Sequence, residues 1–178
     1  MAETPMLFRE TLNPDSFVVV PRVTSENRRY IPMGFMGAEA IISDATLIIP
    51  NATLYHFGIL TSNVHMAWTR AVCGRLKSDY RYSKDIVYNN FPWPNSTDNQ
   101  QQEISNLAQN ILDARAKYPT SSLADLYDPL TMPPDLLKAH RNLDTAVMKL
   151  YGFPVKKEFT EAHCVAGLME MYKKIMEI

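Results

Sequence analysis

Hydrophobic positions fall in short runs through the first half of the chain and recur every three to four residues through the second. Phe17-Val18-Val19-Val20 is a β-branched run that ends at Pro21. Residues 29–36 (RYIPMGFM) form a second extended piece, and the polar Thr24-Ser25-Glu26-Asn27 between them reads as a turn. Residues 17–36 are therefore expected to form a hairpin. A third strand is expected over 41–49 (IISDATLII), closed by Pro50-Asn51, and a fourth short extended piece from Ala52. The period then changes. Leu60, Val64, Met66, Ala67, Ala71 and Val72 fit an amphipathic helix that starts after Thr61 or Ser62 and ends near Gly74. Extended structure is expected again over 76–88, where Ile86, Val87 and Tyr88 favour a strand.

The two prolines of NNFPWP (89–94) cannot continue a central strand and mark a boundary. Beyond it the pattern is helical. Ile104, Leu107, Ala108, Ile111 and Leu112 share one face of a helix stopped by Pro119. Pro133-Pro134 open the next, with Leu136, Leu137, His140, Leu143, Val147 and Leu150 on one stripe and Gly152 at its end. Thr160 is placed to cap a last helix carrying Val165, Leu168, Met169 and Tyr172. The expected fold class is α+β: a small mixed β-sheet module with a packed helix over residues 1–95, then an all-α helical module over 96–178.

Composition narrows the function classes. Net charge is −1 over 178 residues, so the chain is not a generic polyanion binder. The kind of base is uneven: seven of nine arginines lie in residues 1–95 and seven of nine lysines in 96–178. Arginine suits bidentate recognition of guanine and phosphate, so the first half reads as the recognition half. Cys73 and Cys164 stand apart from each other and from any CxxC spacing, which fits small core residues in a reducing cytoplasm. No 18-residue apolar run suggests a membrane span. No glycine-rich phosphate loop, GxSxG, HExxH or histidine pair at ligand spacing is present. His140 lies on an apolar helix face and fits a core residue better than a ligand. No catalytic residues and no metal ligands are assigned, and the chain alone is not expected to be an enzyme.

One stretch exceeds what a core or a loop needs. GRLKSDYRYSKDIVYNNFPWP (74–94) interleaves Arg75, Lys77, Asp79, Arg81, Lys84 and Asp85 with Tyr80, Tyr82, Tyr88, Phe91 and Trp93. In a strand, Lys77, Asp79 and Arg81 would share one face and Ser78, Tyr80 and Tyr82 the other. The first face matches major-groove readout, with Lys or Arg donating to guanine O6 and N7 and Asp accepting from cytosine N4. The same pattern also fits a solvated strand in which Lys77 pairs with Asp79. Arg22, Arg28 and Arg29 bracket the expected hairpin tip, where they could reach a groove or phosphates or simply be surface arginines. Asp44 interrupts an apolar strand, where a carboxylate needs a partner unless it sits at an exposed position.

RRYIPMGF, DATLIIPNATLYHFGILTS, HMAWTRAVCGRLKSDYRYSKDIVYNNFPWP and LADLYDPLTMPPDLLKAHRNLDTAVMKLYGF together resemble the carboxy-terminal part of MmeI-like DNA methyltransferases. These are bacterial type II restriction-modification proteins related in recognition logic to type I specificity subunits. The resemblance implies a target recognition domain up to Pro94, a C-terminal helical domain after it, and sequence-specific binding of duplex DNA in the bacterial cytoplasm. It implies that the residues flanking the serine of a GRxxSxYxYS pattern, here Lys77 and Asp79, read one base pair, which Lys and Asp would suit to G·C. Arg81, working near Asp44 and Ala45, and Arg22 are implied as further readers. Arg28, Arg29, Arg75 and Lys84 are the candidates for the DNA backbone. The family's nuclease motif, cofactor loop and NPPY-type motif do not occur in the chain. The chain is thus expected to be a piece of a longer protein that transfers methyl groups from S-adenosylmethionine to adenine N6, with that cofactor and the methyltransferase domain as partner outside this chain. The alternative is a scaffold module that packs on a catalytic partner without reading bases.

Overall fold

A computed structural model describes residues 14–40, 43 and 45–177. The β-branched run forms β1 (Ser16–Pro21), in which Phe17, Val18 and Val20 are buried. It pairs antiparallel with β3 (Gly34–Gly37) on one side and β4 (Thr46–Pro50) on the other. The expected pairing of the two ends of 17–36 is therefore present, but its connection is not a tight turn. Between them the chain detours into β2 (Val23–Thr24), which belongs to a second antiparallel sheet of order β2-β6-β5. Of the expected third strand, residues 41, 42 and 44 lie outside the described set.

Two expectations fail in instructive ways. Residues from Ala52 do not extend: Thr53 caps α1 (Leu54–Leu60), its hydroxyl and backbone N–H both meeting His56 Nδ1. A histidine in the capping-box position was the missing signal. Residues 76–88 are not one strand either. They lie in a hairpin of β5 (Gly74–Leu76) and β6 (Asp79–Arg81), then a π-helical turn over Lys84–Tyr88 capped by Ser83. The Trp68 indole N–H donates to the Val87 carbonyl at 2.9 Å, so tertiary bonding overrides the β-propensity of Ile86-Val87-Tyr88.

The helices follow their caps. Ser62 opens α2 (Asn63–Val72) and Thr97, with Gln100, opens α3 (Asp98–Ala116). Ser122 starts the short α4 (Leu123–Leu126), which the periodicity did not reveal. Pro134 is the first residue of α5 (Pro134–Leu150), which Gly152 terminates at φ 70°. Thr160 and His163 cap α6 (Glu161–Met176). Among the described residues no helix is long and apolar enough to cross a membrane.

The two halves share one hydrophobic core, continuous from Val18 to Leu168. Helix α1 lies against α3 so closely that a Cβ on Gly58 would sit 2.7 Å from Ile104 Cγ2. Buried polar bonds join the halves as well. Asp144 of α5 accepts from the Tyr30 hydroxyl at 2.7 Å, from the Asn63 backbone at 2.7 Å and from Asn63 Nδ2 at 2.8 Å. The Arg115 guanidinium donates to the Met33 carbonyl at 2.8 Å and to the Tyr127 hydroxyl.

Candidate nucleic-acid interface

The second sheet builds the candidate interface. Register pairs Gly74 with Arg81, Arg75 with Tyr80 and Leu76 with Asp79, and directly paired residues present their side chains to the same face. One face carries Tyr80, buried, with Thr24 beside it. The other carries Val23, Gly74, Leu76, Asp79 and Arg81, and points outward. The alternation expected of the motif is present for Asp79 and Arg81 against Tyr80 and Tyr82. Lys77 departs from it. With Ser78 it forms the two-residue loop of the hairpin, at φ 56°, so it projects from the apex rather than from the strand face. Lys77 does not pair with Asp79 among the described ion pairs; Asp79 Oδ1 instead accepts from the Glu26 backbone N–H at 3.3 Å.

Arg75 braces the hairpin. Its guanidinium lies 4.1 Å from the centroid of the Tyr80 ring, donates to the Ser78 carbonyl at 2.8 Å and comes within 3.8 Å of Glu26. These contacts cross the loop and fix the strand end that precedes Lys77. At the other end, the Tyr82 hydroxyl meets His65 Nε2 at 2.9 Å in the core. Burial pushes the His65 imidazole down to about 3, so it stays neutral.

Arg22 occupies the seam between the sheets. Its backbone N–H donates to the Ala45 carbonyl at 3.1 Å, and its carbonyl accepts from Tyr82 at 2.9 Å. Arg22, Arg81, Lys84 and Asp85 line one open cleft of about 480 Å³, together with Gly74, Leu47 and Ile86. The structure thus brings Arg22 beside Arg81 and Lys84, about sixty residues further along the chain. Asp44 lies outside the described residues; its neighbour Ala45 is at the seam.

Arg28 and Arg29 go elsewhere. They line a separate cavity of about 350 Å³ between the 26–29 loop, α2 and α6, which shares no lining residue with the first. Arg28 reaches the Ala124 carbonyl at 3.5 Å, and the Arg29 carbonyl accepts from Arg70, itself paired with Glu161 at 2.8 Å. His140 is fully buried, stacked on Tyr30 and 2.6 Å from the Tyr127 hydroxyl. Among the described residues no three His, Cys, Asp or Glu side chains form a group able to hold a metal ion. Sequence reasoning missed the bracing role of Arg75 and the π-helical turn that carries Lys84 and Ile86. The alternation of rings behind charges was the available signal for the first.

Comparison with known proteins supplies the context. Residues 1–95 match the family model described as MmeI, target recognition domain, and residues 96–178 match MmeI, C-terminal domain. DNA methyltransferase A of Bacillus subtilis (strain 168) is 42% identical over 179 residues, covering 99% of this chain and 20% of that protein. The solved structure of the type IIL restriction-modification enzyme MmeI in complex with DNA superposes with a TM-score of 0.87 at 46% identity, covering 94% of this chain and 22% of that one. The chain spans about a fifth of the length of each relative.

Proposed function

The chain belongs to the MmeI family, with that family's target recognition domain over residues 1–95 and its C-terminal domain over 96–178, and on this premise we propose that it reads the sequence of duplex DNA for a methyltransferase. The observation that carries the reading is the outward face of the β5–β6 hairpin. Lys77 stands at its apex and Asp79 and Arg81 on its open face, with both flanks bonded down by Arg75 and Tyr82. A two-stranded ribbon fits the major groove, about 12 Å wide, where each base pair presents a distinct set of donors and acceptors.

In this reading Lys77 donates to guanine O6 or N7 and Asp79 accepts from the N4 amine of the paired cytosine. Arg81 donates both arms of its guanidinium to a second guanine, and Arg22, across the same cleft, reads or steers beside it, with Asp44 as a further reader. Lys84 neutralises phosphate at the cleft rim. Arg28 and Arg29, in the separate cavity, would meet the backbone of a duplex that extends past the hairpin. Arg75 holds the hairpin rather than the DNA.

The parent activity is methyl transfer from S-adenosylmethionine to adenine N6, by domains that this chain aims, in the cytoplasm of a bacterium. The six glycines stand singly at 34, 37, 58, 74, 152 and 167 and form no glycine-rich loop for that cofactor. Its site is assigned to the rest of a longer protein, and the helical half to packing against those domains.

The test is a charge exchange. Lys77→Glu with Asp79→Arg is expected to retain duplex binding while changing the preferred base pair at one position, by about 1–3 kcal/mol per wrong pair. Selection from a randomised duplex pool reads the preference directly. The same preference before and after the exchange would overturn the assignment. A scaffold module would show neither a preferred duplex nor the steep loss of binding with salt that phosphate contacts produce.

A further inference from the structure

We propose that Gly74 is a specificity-determining contact for duplex DNA: its bare backbone leaves the space into which the base-pair edge beside Arg81 closes. The inference rests on the reading of the β5–β6 hairpin given above.

A glycine in a strand weakens it, because the chain loses more freedom on folding and no side chain packs in return. The described glycines can each be asked what repays that loss. Gly152 needs its left-handed φ of 70°. A Cβ on Gly58 would meet Ile104 Cγ2 at 2.7 Å, one on Gly167 would meet Phe153 at 2.7 Å, one on Gly37 would meet the Glu39 carboxylate at 2.6 Å, and one on Gly34 would meet Met36 at 3.3 Å. At Gly34 and Gly37 the nearest atoms are the free ends of the Met36 and Glu39 side chains, which can yield; among the described residues there is no obstacle at all at Gly74. Its φ is not in the left-handed region, and a Cβ there would meet no described residue within 4 Å. Nothing among the described residues asks for glycine at this position.

Its position supplies the missing reason. Gly74 is the direct cross-strand partner of Arg81, so a side chain there would rise on the outward face, about 5 Å from that of Arg81. It also lines the cleft shared by Arg22, Arg81 and Lys84. Any residue other than glycine would hold the ribbon away from a groove floor and narrow the space in which the Arg81 guanidinium meets a base. A strand glycine facing a charged, open cleft is what close approach of an outside molecule requires.

The experiment compares Gly74→Ala, Gly74→Ser, Gly74→Val and Arg81→Ala in the full chain. The preferred duplex is first selected from a randomised pool with the unsubstituted protein, and each variant is then titrated with it. The alanine, serine and valine variants are expected to melt no lower than the parent, since the added atoms enter open space. They are expected to bind the selected duplex more weakly in order of size, about tenfold for alanine and about a hundredfold for valine, within the span that one wrong base pair produces. The slope of log affinity against log salt should be unchanged in all three, because no phosphate contact is removed, whereas Arg81→Ala should lose base preference at its position. Full binding by Gly74→Val, with Arg81→Ala impaired, would overturn this inference alone. Full binding and unaltered preference for Arg81→Ala would overturn the hairpin reading itself and this inference with it.

Discussion

The Tyr82 hydroxyl and His65 Nε2 lie 2.9 Å apart, both side chains within the core, and this bond pins the end of the strand that carries Arg81 to helix α2. Tyr82→Phe keeps the ring and strands the imidazole nitrogen. It is expected to cost about 1–3 kcal/mol, the penalty for a buried polar group left unpaired. A urea midpoint equal to that of the parent would show that the bond adds no net stability.

Lys77 holds φ at 56°, a conformation that glycine adopts without strain and lysine does not. Lys77→Gly should therefore relieve about 1 kcal/mol, visible as a rise of about 2–4 °C in melting temperature for a chain of this size. The same variant should lose discrimination at the base pair assigned to Lys77 and Asp79. A gain in stability without loss of discrimination would leave Lys77 with no role in reading.

Gly58→Ala would place a methyl 2.7 Å from Ile104 Cγ2 and 3.3 Å from Ala108 Cβ. In an open helix this change is favourable by up to about 1 kcal/mol. Between α1 and α3 overpacking wins, at a cost of about 1–3 kcal/mol, measurable by chemical denaturation. Ile104→Leu paired with it, which removes the Cγ2 methyl at nearly constant volume, should recover part of the loss.

Acid stability reports on the buried titratable groups. Burial pushes the Asp144 carboxyl up to about 6, although the Asn63 N–H and the Tyr30 hydroxyl pull it the other way. Burial, then the Arg115 guanidinium, holds His140 well below its usual range, and burial does the same to His65, at about 3. Between roughly pH 4 and 6 the unfolded chain binds a proton at each histidine that the fold excludes, so stability falls with acidification. Over the same window the fold binds a proton at Asp144 that the unfolded chain has released, which favours the fold as pH falls. The terms oppose. Asp144→Asn removes the compensating one and should steepen the acid loss by about 1.4 kcal/mol per pH unit in that window. Parallel denaturation curves at stepped pH for the two proteins measure the difference, and parallel slopes would remove Asp144 from the account.

The sequence made the caps and stripes plain. Ser62, Pro134 and Thr160 open helices where their chemistry said they would. It hid what depends on distant partners. Thr53 opens a helix where an extended piece was expected, its cap completed by His56. Ile86-Val87-Tyr88 has strand chemistry, yet the Trp68 indole holds its backbone in a π-helical turn. The candidate site was legible in the same uneven way. Alternation correctly separated Asp79 and Arg81 from Tyr80 and Tyr82. It could not show that the chain reverses at Lys77 and Ser78, because neither residue is one that two-residue hairpin loops favour. Nor could it bring Arg22 beside Arg81 and Lys84, which takes two distant segments meeting at a seam.

The continuous core has a practical bearing on engineered chimaeras. A crossover at residue 95 would part Gly58 from Ile104, Tyr30 and Asn63 from Asp144, and Met33 from Arg115. Such a transplant would have to rebuild an interior as well as join a backbone. Swapping the hairpin from Gly74 to Arg81 alone leaves all of those junctions intact, and makes that eight-residue cassette the natural unit of exchange.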